Sequence, residues 1–563
     1  MRRRVHHNTQ NEWLHTIEEP MKKTFRKRLG TWWFPVIICV LILSPMVLAR
    51  RRGPLANRNK SGLYVRSIEQ VLRLRENEVD LATAALIVSE RWSDLVHGRR
   101  CLLMLDDMAF EIRERLRRGG LRADFKAIPV INEYLFDELG FQSLSEANDP
   151  NDLFLHTVLE KKRGYCLSLS ILYLSLGERL GLPVYGVVVP GHFFVRYDDK
   201  RVRFNIETTS KGRNAPDKHY INKFKVPTGK DNIYMKNLNK IQTLGCFFNN
   251  LGNSYSDIGN IESALLALER AVEINPTLSE SRVNLGNIYL KKDRVTDAIS
   301  EYQAALEINP NDAKTHNNLG NAYTQRNWLN YAVSEYIQSL ELDPKFVDAH
   351  KNLAIAYSKQ ERFGQAIAQL RQAIILEPKD AGCYSQLGDV YGQMDKYQEA
   401  ISQYKKALTI KGDLVEANYG LAVCYNKLGW VDDEIQAYER VLAVKPDMFA
   451  ALVNLGNAYF GQKKYDVAIE QYTKAAQVEP QEAMVHYNLG AAYSNKKNYK
   501  QAVDEYLRAV EIDPEIGDAH HGLAIAFYQL KKYDSAWKHI KIAEGLGVEI
   551  SKDKLDAIKR QLR

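Results

Sequence analysis

The dominant pattern along the chain is a 34-residue beat of small, aromatic and proline positions between about residues 245 and 550. Pro276, Pro310, Pro344, Pro378, Pro446, Pro480 and Pro514 share one register, with Gly412 where a further proline is due. A small residue keeps the beat at Gly252, Gly286, Gly320, Ala354, Gly388, Ala422, Gly456, Gly490 and Ala524, and an aromatic follows three residues later, from Tyr255 to Phe527. Twelve residues after each small residue stands alanine, except at Glu434. Gly or Ala lets one helix approach another closely, the aromatic fills the space between pairs, and proline ends the second helix. The beat therefore predicts an α-solenoid of nine helix pairs over 245–550, closed by a polar capping helix over 551–563.

Residues 62–240 do not share that beat. Up to about Arg118, Ile68, Val71, Leu72, Leu81, Ala84, Ala85 and Ile87 recur at helical spacing. The run KRGYCLSLSILYLSLGERLGLPVYGVVVPGHFFVRY then predicts a helix carrying Cys166, a connection at Gly181-Leu182-Pro183, a strand, and a second strand beginning at Gly191-His192. RVRFNIETTSKG predicts a third strand, so this region is expected to be an α+β domain.

Ahead of it, Thr31 to Ala49 reads TWWFPVIICVLILSPMVLA, 19 residues without a charge. At a ~1.5 Å rise per residue such a helix crosses a ~30 Å hydrocarbon layer. Trp32 and Trp33 suit one interface and Arg50, Arg51 and Arg52 close the other end, so 31–49 is predicted to be a transmembrane helix. A cleaved signal peptide is the alternative, because Val47-Leu48-Ala49 resembles a cleavage site; the three Arg beyond it and the tail over 1–30 favour an uncleaved anchor. Lys/Arg on the two sides nearly cancel, and Arg2, Arg3 and Arg4 tip the balance toward a cytoplasmic N-terminus.

The net charge of +8 changes meaning once it is located. Residues 1–60 hold 13 Lys/Arg against Glu12, Glu18 and Glu19, which leaves the rest of the chain at −2. The basicity is juxtamembrane, and no nucleic-acid partner is expected. Six cysteines stand far apart without CxxC or Cys/His spacing, so they are read as free thiols, and neither a metal site nor a cofactor is expected.

Candidate chemistry sits in the middle domain. A Cys opening a helix has its thiolate favoured by the helix dipole and by a neighbouring imidazolium. His192 could supply that imidazolium and protonate a leaving amine, and Glu207 could hold its tautomer. With GHFFVRY and NIETT, residues 64–215 resemble the core of the transglutaminase-like superfamily, in which a Cys opens a helix, a His starts one strand and an acid lies on the next. The resemblance implies Cys166, His192 and Glu207 as the site of a thiol amide hydrolase or transamidase, with Glu207 standing where many relatives carry Asp.

The L-G-x2-Y, A and P pattern of the solenoid resembles the tetratricopeptide repeat (TPR) family. In such arrays the first helices line a concave groove, where Asn250, Asn284, Asn318, Asn352, Asn454 and Asn488 would form a ladder. A side-chain amide both donates and accepts, so a row of them could bind the backbone of an extended peptide. A partial row, Asn253, Asn287, Asn321 and Asn457, lies one turn on, and together the rows resemble the TPR superhelix of O-linked N-acetylglucosamine transferases, in its peptide-binding half only. The alternative is that these Asn bridge adjacent repeats. The expected protein is a membrane-anchored scaffold for a protein or peptide partner, with catalysis at Cys166; the alternative is a scaffold whose middle domain only binds.

Overall fold

The computed structural model describes residues 65, 67–92, 96–144, 149–227 and 232–561. The basic tail over 1–30 and the predicted span over 31–49 lie outside them, and among the described residues no helix is long and apolar enough to cross a membrane.

In the middle domain, helix Gly98–Arg118 buries Cys101, Leu105, Met108, Ala109, Ile112 and Leu116, one face at three- and four-residue spacing. Helix Cys166–Leu180 is buried on nearly every side, its Ser168, Ser170, Ser175 and Arg179 included, and ends at Gly181 in the left-handed conformation, φ 75°. Beyond it, strands Val184–Val189, His192–Asp198 and Arg203–Ile206 form an antiparallel sheet in that order. The register pairs Val189 with His192 across the first turn and Val195 with Ile206 across the second interface. The third strand is shorter than the sequence predicts: it stops at Ile206, and Glu207 caps a 3-10 turn over Thr208–Ser210 by accepting from the Thr209 N–H. A carboxylate two residues before an unsatisfied amide is drawn into that cap in preference to continuing the ladder.

Nine helix pairs follow among the described residues, from Lys240–Asp257 with Ile261–Ile274 to Gly517–Gln529 with Tyr533–Gly545, and then helix Lys552–Gln561. Gly252 faces Leu268, and every later glycine of the beat faces a tyrosine of its own pair. A Cβ at Gly320 would come within 2.6 Å of the Tyr336 ring, and the same holds at Gly388 with Tyr404, so close approach is what these positions need. One buried core runs from the middle domain through the first four repeats to Val390, and separate clusters serve the later repeats.

Four repeats carry a histidine clasp that the sequence reading passed over. His316, His350, His486 and His520 each place Nε2 3.1–3.2 Å from the carbonyl of the proline six residues earlier. The Nδ1 atoms meet Glu335, Gln369, Glu505 and His539 on the second helix. In the third repeat, burial works against protonation of His316, but the hydrogen bond and charge of Glu335 prevail and raise its affinity for the proton. In the last repeat two imidazoles face each other, and burial, then His520, then Lys538 push His539 down to about 4. Unfolded chain therefore takes up the His539 proton first, so the stability present above the usual ~6.5 is lost as the pH falls toward about 4. We expect protection from hydrogen exchange, corrected for the intrinsic pH dependence, to fall in residues 517–545 across that interval before it falls in residues 313–342. His539→Gln, which copies the His350–Gln369 pair, should abolish the difference.

Candidate functional site

Cys166 is the first residue of its helix, whose start is fixed by Ser168 Oγ accepting the Tyr165 N–H at 2.8 Å. The Cys166 carbonyl accepts from Ser170 Oγ at 2.6 Å and from Thr208 Oγ1 at 3.3 Å, which ties the helix start to the turn carrying Glu207. His192 opens the middle strand directly after the tight turn at Gly191, φ 70°. Its Nε2 lies 2.7 Å from Glu207 Oε2, and Cys166 lines the same cleft, near enough to act on the imidazole. The three sequence-predicted residues therefore meet.

The electrostatics follow from these contacts. Burial alone would lower the proton affinity of His192, but Cys166 and the hydrogen-bonded Glu207 act the other way and push it up to about 9. Burial pushes Glu207 up, and His192 and Thr209 outweigh it, holding the carboxyl below its ordinary range. Its other oxygen, Oε1, accepts from the Thr209 N–H at 3.1 Å and from Thr209 Oγ1 at 2.6 Å. The carboxylate is held at both oxygens, so the longer side chain of Glu loses no definition of position here.

Helix Asp217–Phe224, which sequence reasoning did not connect to the site, forms its back wall. Phe224 stacks on the His192 ring with centroids 5.0 Å apart and planes 3° from parallel. Tyr220 donates its hydroxyl to Glu207 Oε2 at 3.1 Å. The helix is anchored by Arg196, fully buried, which donates to Asp217 Oδ1 at 2.7 Å, Asn205 Oδ1 at 2.8 Å and the Met235 carbonyl at 2.8 Å. The sequence signal for Arg196 was present, a charge inside an apolar strand run, but its partners lie on three other segments.

The predicted Asn ladder is partly buried at all six positions, Asn250, Asn284, Asn318, Asn352, Asn454 and Asn488. Asn284 Nδ2 donates to Asn249 Oδ1 at 3.0 Å, Asn318 to Asn287 at 3.2 Å, Asn352 to Asn317 at 3.0 Å and Asn454 to the Tyr419 hydroxyl at 3.3 Å. These four amides bridge adjacent repeats, and each keeps a second N–H. The partial row is held by tyrosines: Tyr302, Tyr336 and Tyr472 donate to Asn287, Asn321 and Asn457 at 2.6–2.7 Å. Asp389 fills the same register in the fifth repeat opposite Tyr404, a member that a search for Asn alone misses.

Comparison with known proteins agrees with both halves. Residues 99–242 match the transglutaminase-like superfamily. Residues 286–327, 320–361 and 456–497 match the TPR repeat, and 247–278, 381–414, 415–448 and 483–516 match the tetratricopeptide repeat. The chain carries a transglutaminase-like domain and multiple TPR repeats. A UPF0162 protein of Xylella fastidiosa is 31% identical over 119 residues, 21% of this chain, and the aligned part spans 41% of that relative's length. The human F-box only protein 21 is 29% identical over 91 residues, 16% of this chain and 14% of that protein. Among solved structures, MamA from Desulfovibrio magneticus RS-1 aligns with a TM-score of 0.29 at 21% identity, covering 30% of this chain and 94% of that one.

The transglutaminase-like domain and the TPR array share one cleft of about 840 Å³. Cys166, His192 and Thr209 line one side; Asn250, Asn253, Asn284 and Asn287 of the first two TPR repeats line the other. A depression of about 610 Å³ continues from it past Asn318 and Asn321. The segment joining the two modules is pinned at this place. Tyr234 is buried and hydrogen-bonds Ser279 at 2.8 Å and Glu280, both at the start of the second repeat.

Proposed function

We propose that the TPR array binds an extended polypeptide and presents it to Cys166, which cleaves or transfers one of its amide bonds. What carries the reading is the shared cleft, in which Cys166 and the first Asn positions of the ladder face one space. The second N–H and the Oδ1 of Asn284, Asn318 and Asn352 are the groups that would pair with the peptide backbone. The thiolate would attack the amide carbon, the C–N bond would break as His192 gives its proton to the departing amine, and water or a second amine would then take the acyl group from sulfur. In the same reading residues 31–49 hold the protein in a membrane by a single span, with the N-terminus cytoplasmic.

The test is an acid-quenched mass measurement of the full chain incubated with a library of extended peptides. An acyl adduct should appear on Cys166 and be absent from Cys166→Ala and His192→Ala. Peptides that bind all three proteins without any adduct would leave a scaffold in which the transglutaminase-like domain only binds. Replacing Asn284, Asn318 and Asn352 together by Ala should weaken peptide binding to Cys166→Ala by roughly 3 kcal/mol, at ~1 kcal/mol for each lost hydrogen bond. Because these amides also bridge repeats, the helical signal has to be unchanged for the loss to count as binding.

A further inference from the structure

Glu207 Oε2 is shared by two donors, His192 Nε2 at 2.7 Å and the Tyr220 hydroxyl at 3.1 Å. Tyr220 is 1% exposed, and its ring is held at 3.9 Å centroid distance by Phe194 and lies within 6.3 Å of both His192 and Phe224. We infer that Tyr220 is a positioning residue, whose hydroxyl draws part of the Glu207 charge away from His192 and so limits how strongly the imidazole holds its proton. The inference rests on the catalytic reading of Cys166 and His192.

A carboxylate oxygen that accepts two hydrogen bonds divides its negative charge between them. Burial first, and then the charge and hydrogen bond of Glu207, push the Tyr220 phenol well above its usual range, so it stays a donor throughout the neutral region. The charged and titratable groups around the pair are few. Cys166 faces His192 from the helix start, Glu207 faces it from the 3-10 turn, Arg196 and Asp217 act on the Tyr220 phenol, and the Lys223 ammonium lies 5.1 Å from the centre of the Phe224 ring that stacks on His192. His219, next along the helix, meets the Tyr220 ring edge-on at 5.4 Å. The remaining donor to Glu207, Thr209, is bonded to Oε1, so Oε2 is left to His192 and Tyr220.

Tyr220→Phe removes only the hydroxyl and keeps the ring stack. The probe is iodoacetamide, and the readout is the rate of Cys166 alkylation in the full chain as a function of pH, with the helical signal recorded for each variant. In the wild type the profile should carry an upper inflection where His192 loses its proton, absent from His192→Ala. Tyr220→Phe should move that inflection upward by about half a pH unit, since the undivided carboxylate charge favours the imidazolium. Tyr220 as a mere packing ring predicts a Phe variant that superimposes on the wild type, with loss only in Tyr220→Ala; that result, or a downward shift, would overturn the inference while leaving the catalytic reading intact. A wild-type profile that His192→Ala does not alter would instead remove the catalytic reading, and this inference with it.

Discussion

Iodoacetamide at neutral pH should label Cys166 ahead of every other described cysteine, and His192→Ala should slow that labelling by on the order of tenfold. Two observations set the expectation. Cys101, Cys246, Cys383 and Cys424 are buried and Cys166 is not, so access alone separates them. Burial also pushes Cys246 and Cys383 upward, the latter to about 12, which keeps them protonated and slow. Cys166 instead lies beside an imidazole that holds its proton up to about 9, and a cation next to a sulfur is the setting that speeds alkylation. The advantage over His192→Ala should shrink above that pH, as His192 becomes neutral. Peptide mapping of the labelled protein reads both results; equal labelling of wild type and variant from pH 6 to 10 would show that the imidazole does not activate the sulfur.

The second large effect is expected at Arg196. Arg196→Met keeps most of the volume but leaves Asn205 and the Met235 carbonyl short of a donor, and a buried polar cluster that loses its central charge costs roughly 3–5 kcal/mol. In a domain of this size that is a fall of about 10 °C in midpoint temperature. The damage should be local first. Helix Asp217–Phe224 loses its anchor, so the stack of Phe224 on His192 loosens and the imidazole-dependent labelling of Cys166 should drop toward the level of His192→Ala. Unfolding followed by circular dichroism gives the stability, and alkylation of the still-folded protein gives the coupling. A variant that melts early yet labels normally would detach Arg196 from the site.

What could be read in advance, and what could not, divides along physical lines. The repeat pairs were legible because proline, glycine and tyrosine act through local geometry: a missing N–H, a missing Cβ, a ring of fixed size. Cys166 and His192 were legible because each opens an element, and element starts are marked in the chain by turn residues. Glu207 was found in the right place for a partly mistaken reason, since it caps a turn and does not extend the strand. Tyr220, Phe224 and Arg196 reach the site through contacts across 9 to 39 residues of chain, which no period or motif records. The Asn rows were visible as a repeat, but which neighbour each amide serves depends on side-chain direction, and that is settled only in three dimensions.

The shared cleft has a consequence for descent. Tandem repeats are gained and lost by slippage and recombination, which treat each 34-residue unit as interchangeable. Here the units are not equal. An exchange that replaced the first or second would carry off one wall of the space in front of Cys166, whereas the sixth and later units could be duplicated, deleted or traded while that space kept its shape. Variation in array length among descendants of such a gene should therefore accumulate toward the C-terminal end, with the two repeats beside the sulfur inherited as part of the domain they enclose.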